Sequence, residues 1–217
     1  MNQNLTEITV LLDRSGSMSL VQDATIKGFN EFVEGQKNVP GDANISLIQF
    51  DSAAPYERVF SKPVKEAPAL TNETFRPRGS TPLHDAIGQT ITSLGARLKS
   101  MKEEDRPGKV VVVIMTDGLE NSSMIYTAAQ VAEMIEHQRS VYKWQFIFLG
   151  ANQDACMTGE KLNIPVAQSV TYAHTPAGMA GAMRGMTTNM ASYRVTGQSA
   201  SLNWTDEQRK EADPDAN

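Results

Sequence analysis

The chain reads as an α/β protein: a doubly wound, mostly parallel sheet with helices on both faces and one short antiparallel edge strand. Three observations predict this. Apolar, β-branched runs alternate with stretches of helical period along most of the chain. The run Val110 to Met115 is apolar at every position, which suits a central strand covered by helices on both sides. The spacer between the strand ending at Phe50 and the next apolar segment is far too short for a helical crossover, so that pair must be an antiparallel hairpin.

The elements follow in order. Ile8 to Leu12 is a buried strand that ends at Asp13. From Val21 the apolar positions Val21, Ala24, Thr25, Gly28, Phe29, Phe32 and Val33 lie on one helical face, and Pro40-Gly41 stops the chain beyond it. Ile45, Leu47, Ile48 and Phe50 make the next strand. Pro55 breaks it, and Tyr56, Val59 and Phe60 make the short edge strand. Lys62 to Phe75 has no clear period and reads as irregular surface chain. Pro82 suits the first turn of a helix, where its missing N–H costs nothing, which makes Thr81 the N-cap; Leu83, Ala86, Ile87, Thr90, Ile91, Leu94 and Leu98 form its inner face. After the Val110 strand comes a helix with Ala128, Val131, Ala132 and Ile135 inward, then a strand at Trp144 to Leu149. A short helix near Asp154 to Leu162 and a last short strand around Ile164 to Val170 follow.

From Thr175 to Val195 a helical pattern returns. Met179, Met183, Met186, Met190 and Tyr193 step by four and three, a stripe that reads as a core face. Gly178, Gly181 and Gly185 dilute this helix and should weaken it. The composition turns polar after Gly197. The expected organisation is therefore one domain over 1–196, including the Met-rich helix, and a disordered polar tail over 197–217.

Composition narrows the function classes. With 217 residues the chain can bury the core of one α/β domain. A net charge of −5 argues against binding a phosphate backbone. Cys156 is the only cysteine, which excludes an intrachain disulfide and a cysteine-rich zinc site. No basic-then-apolar leader opens the sequence and no apolar run reaches membrane-spanning length, so a soluble protein of the cytoplasm is the expectation. There is no P-loop, no dinucleotide fingerprint and no nucleophile elbow.

The stretch that carries chemistry is Asp13-Arg14-Ser15-Gly16-Ser17-Met18. The spacing D-x-S-x-S delivers one carboxylate and two hydroxyls from a single turn at a strand's C-terminal end, with Gly16 allowing the bend. Hard oxygens converging in this way suit a hard cation. Thr81 opens the helix that leads towards the Val110 strand, and Asp117 ends that strand. In a doubly wound sheet, ligands bind beyond the carboxyl ends of the strands, where the winding reverses. If the Ile8 and Val110 strands are neighbours, all three segments meet there.

Together these segments resemble the von Willebrand factor type A family, whose metal-ion-dependent adhesion site uses D-x-S-x-S, a later Thr and a later Asp. The matching residues are Asp13, Ser15 and Ser17 in DRSGSM, Thr81 in RGSTPLHDAI and Asp117 in VVVIMTDGLEN, and the resemblance runs from about Glu7 to Val170. It implies a Rossmann-like sheet and a metal site holding Mg2+, with Mn2+ and Ca2+ as alternatives. It also implies a protein partner that offers an Asp or Glu carboxylate, and no nucleic acid. An AAA+ ATPase or a larger complex is the setting it suggests for intracellular members. One of the two aspartates would act through water.

The chemistry itself follows from the residues. Two carboxylates neutralise a divalent ion, and Ser15, Ser17 and Thr81 add neutral oxygens. Magnesium prefers six oxygens and retains waters, so an incoming carboxylate can displace one. Metal and partner would then each raise the affinity for the other. Arg14, Glu120, Asn121 and His84 are the candidate rim of the partner surface. Each residue also has a plain structural use: Asp13, Ser15 and Ser17 as caps of the following helix, Arg14 as a solvent-facing turn residue, Asp117-Gly118 as a strand-ending turn, and Asp85 as an acid at a helix N-terminus. The alternative function is a metal-assisted hydrolase or phosphoryl-transfer enzyme using Asp13. A third reading is a scaffold with a vestigial site.

Overall fold

A computed structural model of the chain describes residues 1–151 and 154–214. Among the described residues six strands form one sheet: β1 (Asn2–Asp13), β2 (Asp42–Asp51), β3 (Ala54–Pro63), β4 (Pro107–Thr116), β5 (Gln145–Ala151) and β6 (Ser169–Tyr172). Their order is β3-β2-β1-β4-β5-β6, and only the β2–β3 pair is antiparallel. Six α-helices surround the sheet: α1 (Gln22–Lys37), α2 (Leu83–Ser100), α3 (Ala128–Tyr142), α4 (Ala155–Lys161), α5 (Pro176–Thr196) and α6 (Asp206–Ala212).

The alternation along each strand decides which core its side chains join. Ile8, Val10 and Leu12 of β1 point with Val111, Val113 and Met115 of β4 towards α1 and α5. Leu11 points with Val112 and Ile114 to the other side, among residues of α2 and α3. Both faces of the central strands are therefore dry over this stretch, which is why β4 is apolar at every position from Val110 to Met115. From β1 the chain winds through α1 to β2; from β4 it winds the opposite way through α3 and α4 to β6. The reversal lies between β1 and β4. Leu12 pairs with Met115 across that junction, so the chain turns after Asp13 and after Thr116 side by side.

Several boundaries differ from the sequence expectation. The strand read from Ile8 begins at Asn2, and the edge strand runs the full ten residues of β3. The added residues are mainly polar and mostly exposed, apart from the buried Thr6 and Glu7; main-chain pairing holds them, and the Asn2 amide donates to the Arg106 carbonyl at 2.7 Å. The segment read as irregular surface chain buries Val64, Leu70 and Phe75 beneath α1.

The expected disordered tail is the largest correction. A 3-10 turn at Ser199–Leu202 and α6, capped by a reciprocal Thr205–Gln208 box, fold back onto α5. Leu202, Trp204 and Ala212 join the α1/α5 core. The glycines of α5 make this possible. A Cβ at Gly181 would strike the Glu211 backbone and one at Gly185 the Trp204 ring. Only the last part of that expectation, 215–217, lies outside the described residues. Among the described residues no helix is long and apolar enough to cross a membrane.

Candidate metal site

The turn after β1 is stitched to two neighbouring loops by its own backbone. The Arg14 amide donates to the Phe50 carbonyl, the Gly16 amide to the Gly79 carbonyl, and the Arg78 amide to the Arg14 carbonyl. This leaves the side chains of Asp13, Ser15 and Ser17 to face the end of β4. Ser15 stands at the N-cap of the 3-10 turn Gly16–Val21, but its side chain makes no capping hydrogen bond. The hydroxyl oxygens of Ser15 and Ser17 lie 3.1 Å apart, and Ser17 donates to Asp117 Oδ1 at 2.8 Å, with Ser15 Oγ 3.5 Å from the same atom. Thr81 lies near this group, next to Gly118: a Cβ built on Gly118 would lie 3.1 Å from Thr81 Oγ1 and 3.8 Å from Ser17 Oγ. Gly118 thus keeps the space beside both hydroxyls open.

Asp13 sits behind these groups, fully buried. Its Oδ1 accepts the Ser15 amide at 2.7 Å and its Oδ2 accepts the Thr116 hydroxyl at 2.6 Å. Burial pushes its carboxyl up to about 6, against the pull of those donors. Burial also raises Asp117, with the Ser17 hydroxyl and the His174 imidazole pulling the other way. Two charges held this poorly solvated favour a counter-ion. Oxygens bound about 2.1 Å from one magnesium at right angles stand about 3.0 Å apart, and the Ser15–Ser17 and Ser17–Asp117 spacings bracket that length. The donor set, two carboxylates and neutral hydroxyls, is hard throughout. Among the described residues no cluster of three His, Cys, Asp or Glu side chains is arranged as a metal cage, so any cation here would rely on hydroxyls.

The expected rim changes character. Arg14 is 6% exposed and lies under the surface. Its guanidinium donates to Asp51 at 2.7 Å, Gln49 at 3.0 Å and Glu57 at 2.7 Å, locking the β1 turn to the β2–β3 hairpin. Glu120 and Asn121 act as caps supplied from outside the helix. The helix α2 starts at Leu83 with Pro82 in the N-cap position and no side-chain cap from Thr81. Instead Glu120 accepts the His84 amide, Ser123 Oγ accepts the Asp85 amide, and Asn121 accepts the Thr81 amide. The Thr81 hydroxyl is therefore not spent on capping, contrary to the expected N-cap. His84 lies half-buried beside Glu120, 3.8 Å away.

Asp85 returns the favour. It accepts the amides of Met124, Ile125 and Tyr126 at 2.8–2.9 Å, and despite its partial desolvation these bonds hold its carboxyl below the usual range. Asp85→Ala should cost about 2 kcal/mol or more in urea denaturation and release the 119–126 loop to fast amide exchange. Because the folded value is depressed, the contribution is present above about pH 4 and fades as pH falls through the folded value; a variant with wild-type stability and protection would refute the role.

Three contributors escaped sequence reading. Thr116 was legible in principle, as the polar residue closing an apolar run next to Asp117. Tyr172 and His174 had no local signal. The Tyr172 hydroxyl donates to the Thr116 carbonyl at 3.2 Å beneath the site; burial, then Asp117 and Asp13, keep its phenol protonated well above the usual range. His174 Nε2 stands 2.9 Å from Asp117 Oδ2.

Comparison with known proteins agrees with this architecture. A model of the von Willebrand factor type A domain matches residues 7–157. No curated protein sequence matches significantly. Among solved structures, the vWF domain of the type V pili tip protein Mfa5 from Porphyromonas gingivalis superposes with a TM-score of 0.59 at 10% identity, over 91% of this chain and 97% of that one. The pilus adhesin SpaC from Lactobacillus rhamnosus GG gives 0.59 at 14%, over 91% and 31%. Proximal thread matrix protein 1 from the mussel byssus gives 0.57 at 14%, over 84% and 47%, so this chain spans about half the length of that protein. At such identities the likeness is one of fold. The family match covers more than half of the chain and takes in Asp13, Ser15, Ser17, Thr81 and Asp117: this chain belongs to the von Willebrand factor type A domain family.

Proposed function

We propose that the chain is a protein-binding module that captures a partner carboxylate through a divalent cation, Mg2+ by its donor set, with Mn2+ or Ca2+ able to substitute. The observation that carries this reading is the convergence of the Ser15, Ser17 and Asp117 oxygens at 2.8–3.5 Å, with the Thr81 hydroxyl beside them. Ser15, Ser17, Thr81 and Asp117 would hold the ion directly. Asp13, whose two oxygens already accept hydrogen bonds, would act through water. When bound, the cation supplies a positive centre with an exchangeable water position. This chain's own residues fix the serine hydroxyls, balance the charge and keep the pole rigid. Full burial and two accepted hydrogen bonds also make Asp13 a poor nucleophile, which weighs against the enzyme alternative.

The surroundings support a protein as partner. Leu20, Leu119, Met124 and Ile125 are exposed at this pole, Met124 by 94%. The loop that carries Leu119, Met124 and Ile125 is no floppy insertion, since Asp85 and Glu120 tie its backbone down. Exposed apolar side chains on a rigid backbone are a feature of binding surfaces. Arg76 and Arg78 lie exposed on the preceding loop and would favour an acidic guest.

Isothermal titration with Mg2+ and a magnesium-against-EDTA pull-down test this. Wild type should take up magnesium, gain thermal stability by mass action, and retain partners only with the metal. Asp117→Ala should lose both. Met124→Asp should keep magnesium binding and lose the partner. Turnover of phosphate or acyl esters that Asp13→Ala abolishes would establish the enzyme instead.

A further inference from the structure

We propose that His174 is a positioning residue that makes Asp117 a one-oxygen ligand and thereby favours magnesium over calcium; this rests on the metal-site reading above. Its Nε2 lies 2.9 Å from Asp117 Oδ2, while Ser17 engages Oδ1 at 2.8 Å. The two oxygens of one carboxylate are thus divided: Oδ1 belongs to the hydroxyl cluster, and Oδ2 faces the imidazole. The Asp117 side chain is fully buried and that of His174 is 10% exposed, so water competes little for this contact, which is a close charge contact and not an aligned hydrogen bond.

The placement of His174 is built in. On one side the Ala173 amide donates to the Ala212 carbonyl at 2.9 Å, tying this segment to the end of α6. On the other side Thr175 caps α5 through the Gly178 amide at 3.1 Å. The residue between them is held by two elements that both dock on the α1/α5 face. It reaches Asp117 from β6, past the intervening strand β5.

The chemical consequence concerns which ion fits. Magnesium takes single oxygens at near-octahedral positions; calcium accepts six to eight and often takes both oxygens of one carboxylate. An imidazole on Oδ2 denies the second mode. Partners that orient a ligating carboxylate typically contribute 10–100-fold to metal affinity.

The test is titration calorimetry of the full chain with Mg2+ and with Ca2+, at one pH, on wild type, His174→Leu, His174→Phe and His174→Gln. Thermal melts of the metal-free variants identify which of them fold, and the two donor-less chains stand in for each other. The donor-less variants should bind magnesium at least about tenfold more weakly, with a smaller preference over calcium. His174→Gln, which keeps a polar N–H group able to approach Oδ2, should bind magnesium more tightly than the Leu and Phe variants do. Unchanged or tighter magnesium binding in a folded donor-less variant would overturn the role of His174 alone, and so would failure of Gln to rescue. Absence of any magnesium or manganese uptake by wild type would overturn this inference and the metal-site reading together.

Discussion

Asp13→Asn should raise the stability of the metal-free protein at neutral pH and remove the proposed response to magnesium. The reason is the setting of Asp13. Its carboxyl is fully buried and titrates at about 6 in the fold instead of 3.8. The folded chain therefore binds more protons than the unfolded chain between those values, and stability falls as pH rises across the window. The stabilising difference is complete below about pH 4 and gone once pH has risen through about 6. Ionised Asp13 then costs the metal-free fold about 3 kcal/mol. Asparagine removes that charge and keeps the shape. Its carbonyl can accept the Ser15 amide, and its amide can donate to Thr116 Oγ1, whose proton then turns to the Gly118 carbonyl, 3.0 Å away.

The expected gain is about 1–3 kcal/mol above pH 7, a rise of several degrees in melting temperature for a domain of this size. It should shrink towards zero near pH 4. Added magnesium should close the gap from the other side, by stabilising wild type alone. Calorimetric melts of both proteins, with and without magnesium across this pH range, decide it. A metal-free Asn variant no more stable than wild type at pH 7 and above would show that burial of Asp13 carries no such cost.

Gly181→Ala should detach the C-terminal segment and cost about 2–3 kcal/mol. A Cβ at this position would collide with the Glu211 carbonyl oxygen, lie 2.6 Å from the Glu211 carbonyl carbon and 3.0 Å from the Ala212 amide nitrogen. These are main-chain atoms, which cannot swing aside as a side-chain tip can. Relief requires α6 to move as a body, pulling Ala212 away from the Ala173 amide and loosening Trp204 from Gly185. A control separates this from helix propensity. Gly95, on α2, has nothing within 4 Å of its Cβ position, so Gly95→Ala should be neutral or stabilising by up to about 1 kcal/mol. Urea denaturation gives both energies, and amide exchange in 206–212 reports the detachment. Wild-type stability and protection in Gly181→Ala would mean that α6 does not depend on close backbone approach.

These two residues mark what could and could not be read along the chain. Asp13 was legible because its meaning is local: a carboxylate closing an apolar strand, followed at fixed spacing by two serines on a bend. The sheet class was legible for the same reason, since the all-apolar Val110 run has only one kind of place to go. Gly181 was misread. Its periodicity marked it as a weak point in a helix, when its lack of a side chain is what lets another helix dock. The polar segment after Gly197 was misread with it, because α6 buries little of its own and is held by a partner that the sequence does not name. The bonds that Glu120 and Asn121 make to the amides of His84 and Thr81 had no signal in the sequence, since they depend on where a loop lies in space.

By itself, then, the sequence determined the α/β class, the strands that lead to Asp13 and Asp117, and the oxygen-bearing residues of the candidate site. Period and spacing along the chain encode these directly. Only the tertiary structure decided that Arg14 is a buried clamp, that Glu120 and Asn121 leave the Thr81 hydroxyl for the site, and that His174 meets Asp117 from two strands away. Each of those outcomes depends on groups brought together by the reversal of winding between β1 and β4 and by the docking of α5 and α6, contacts between residues far apart in the chain that no local pattern records.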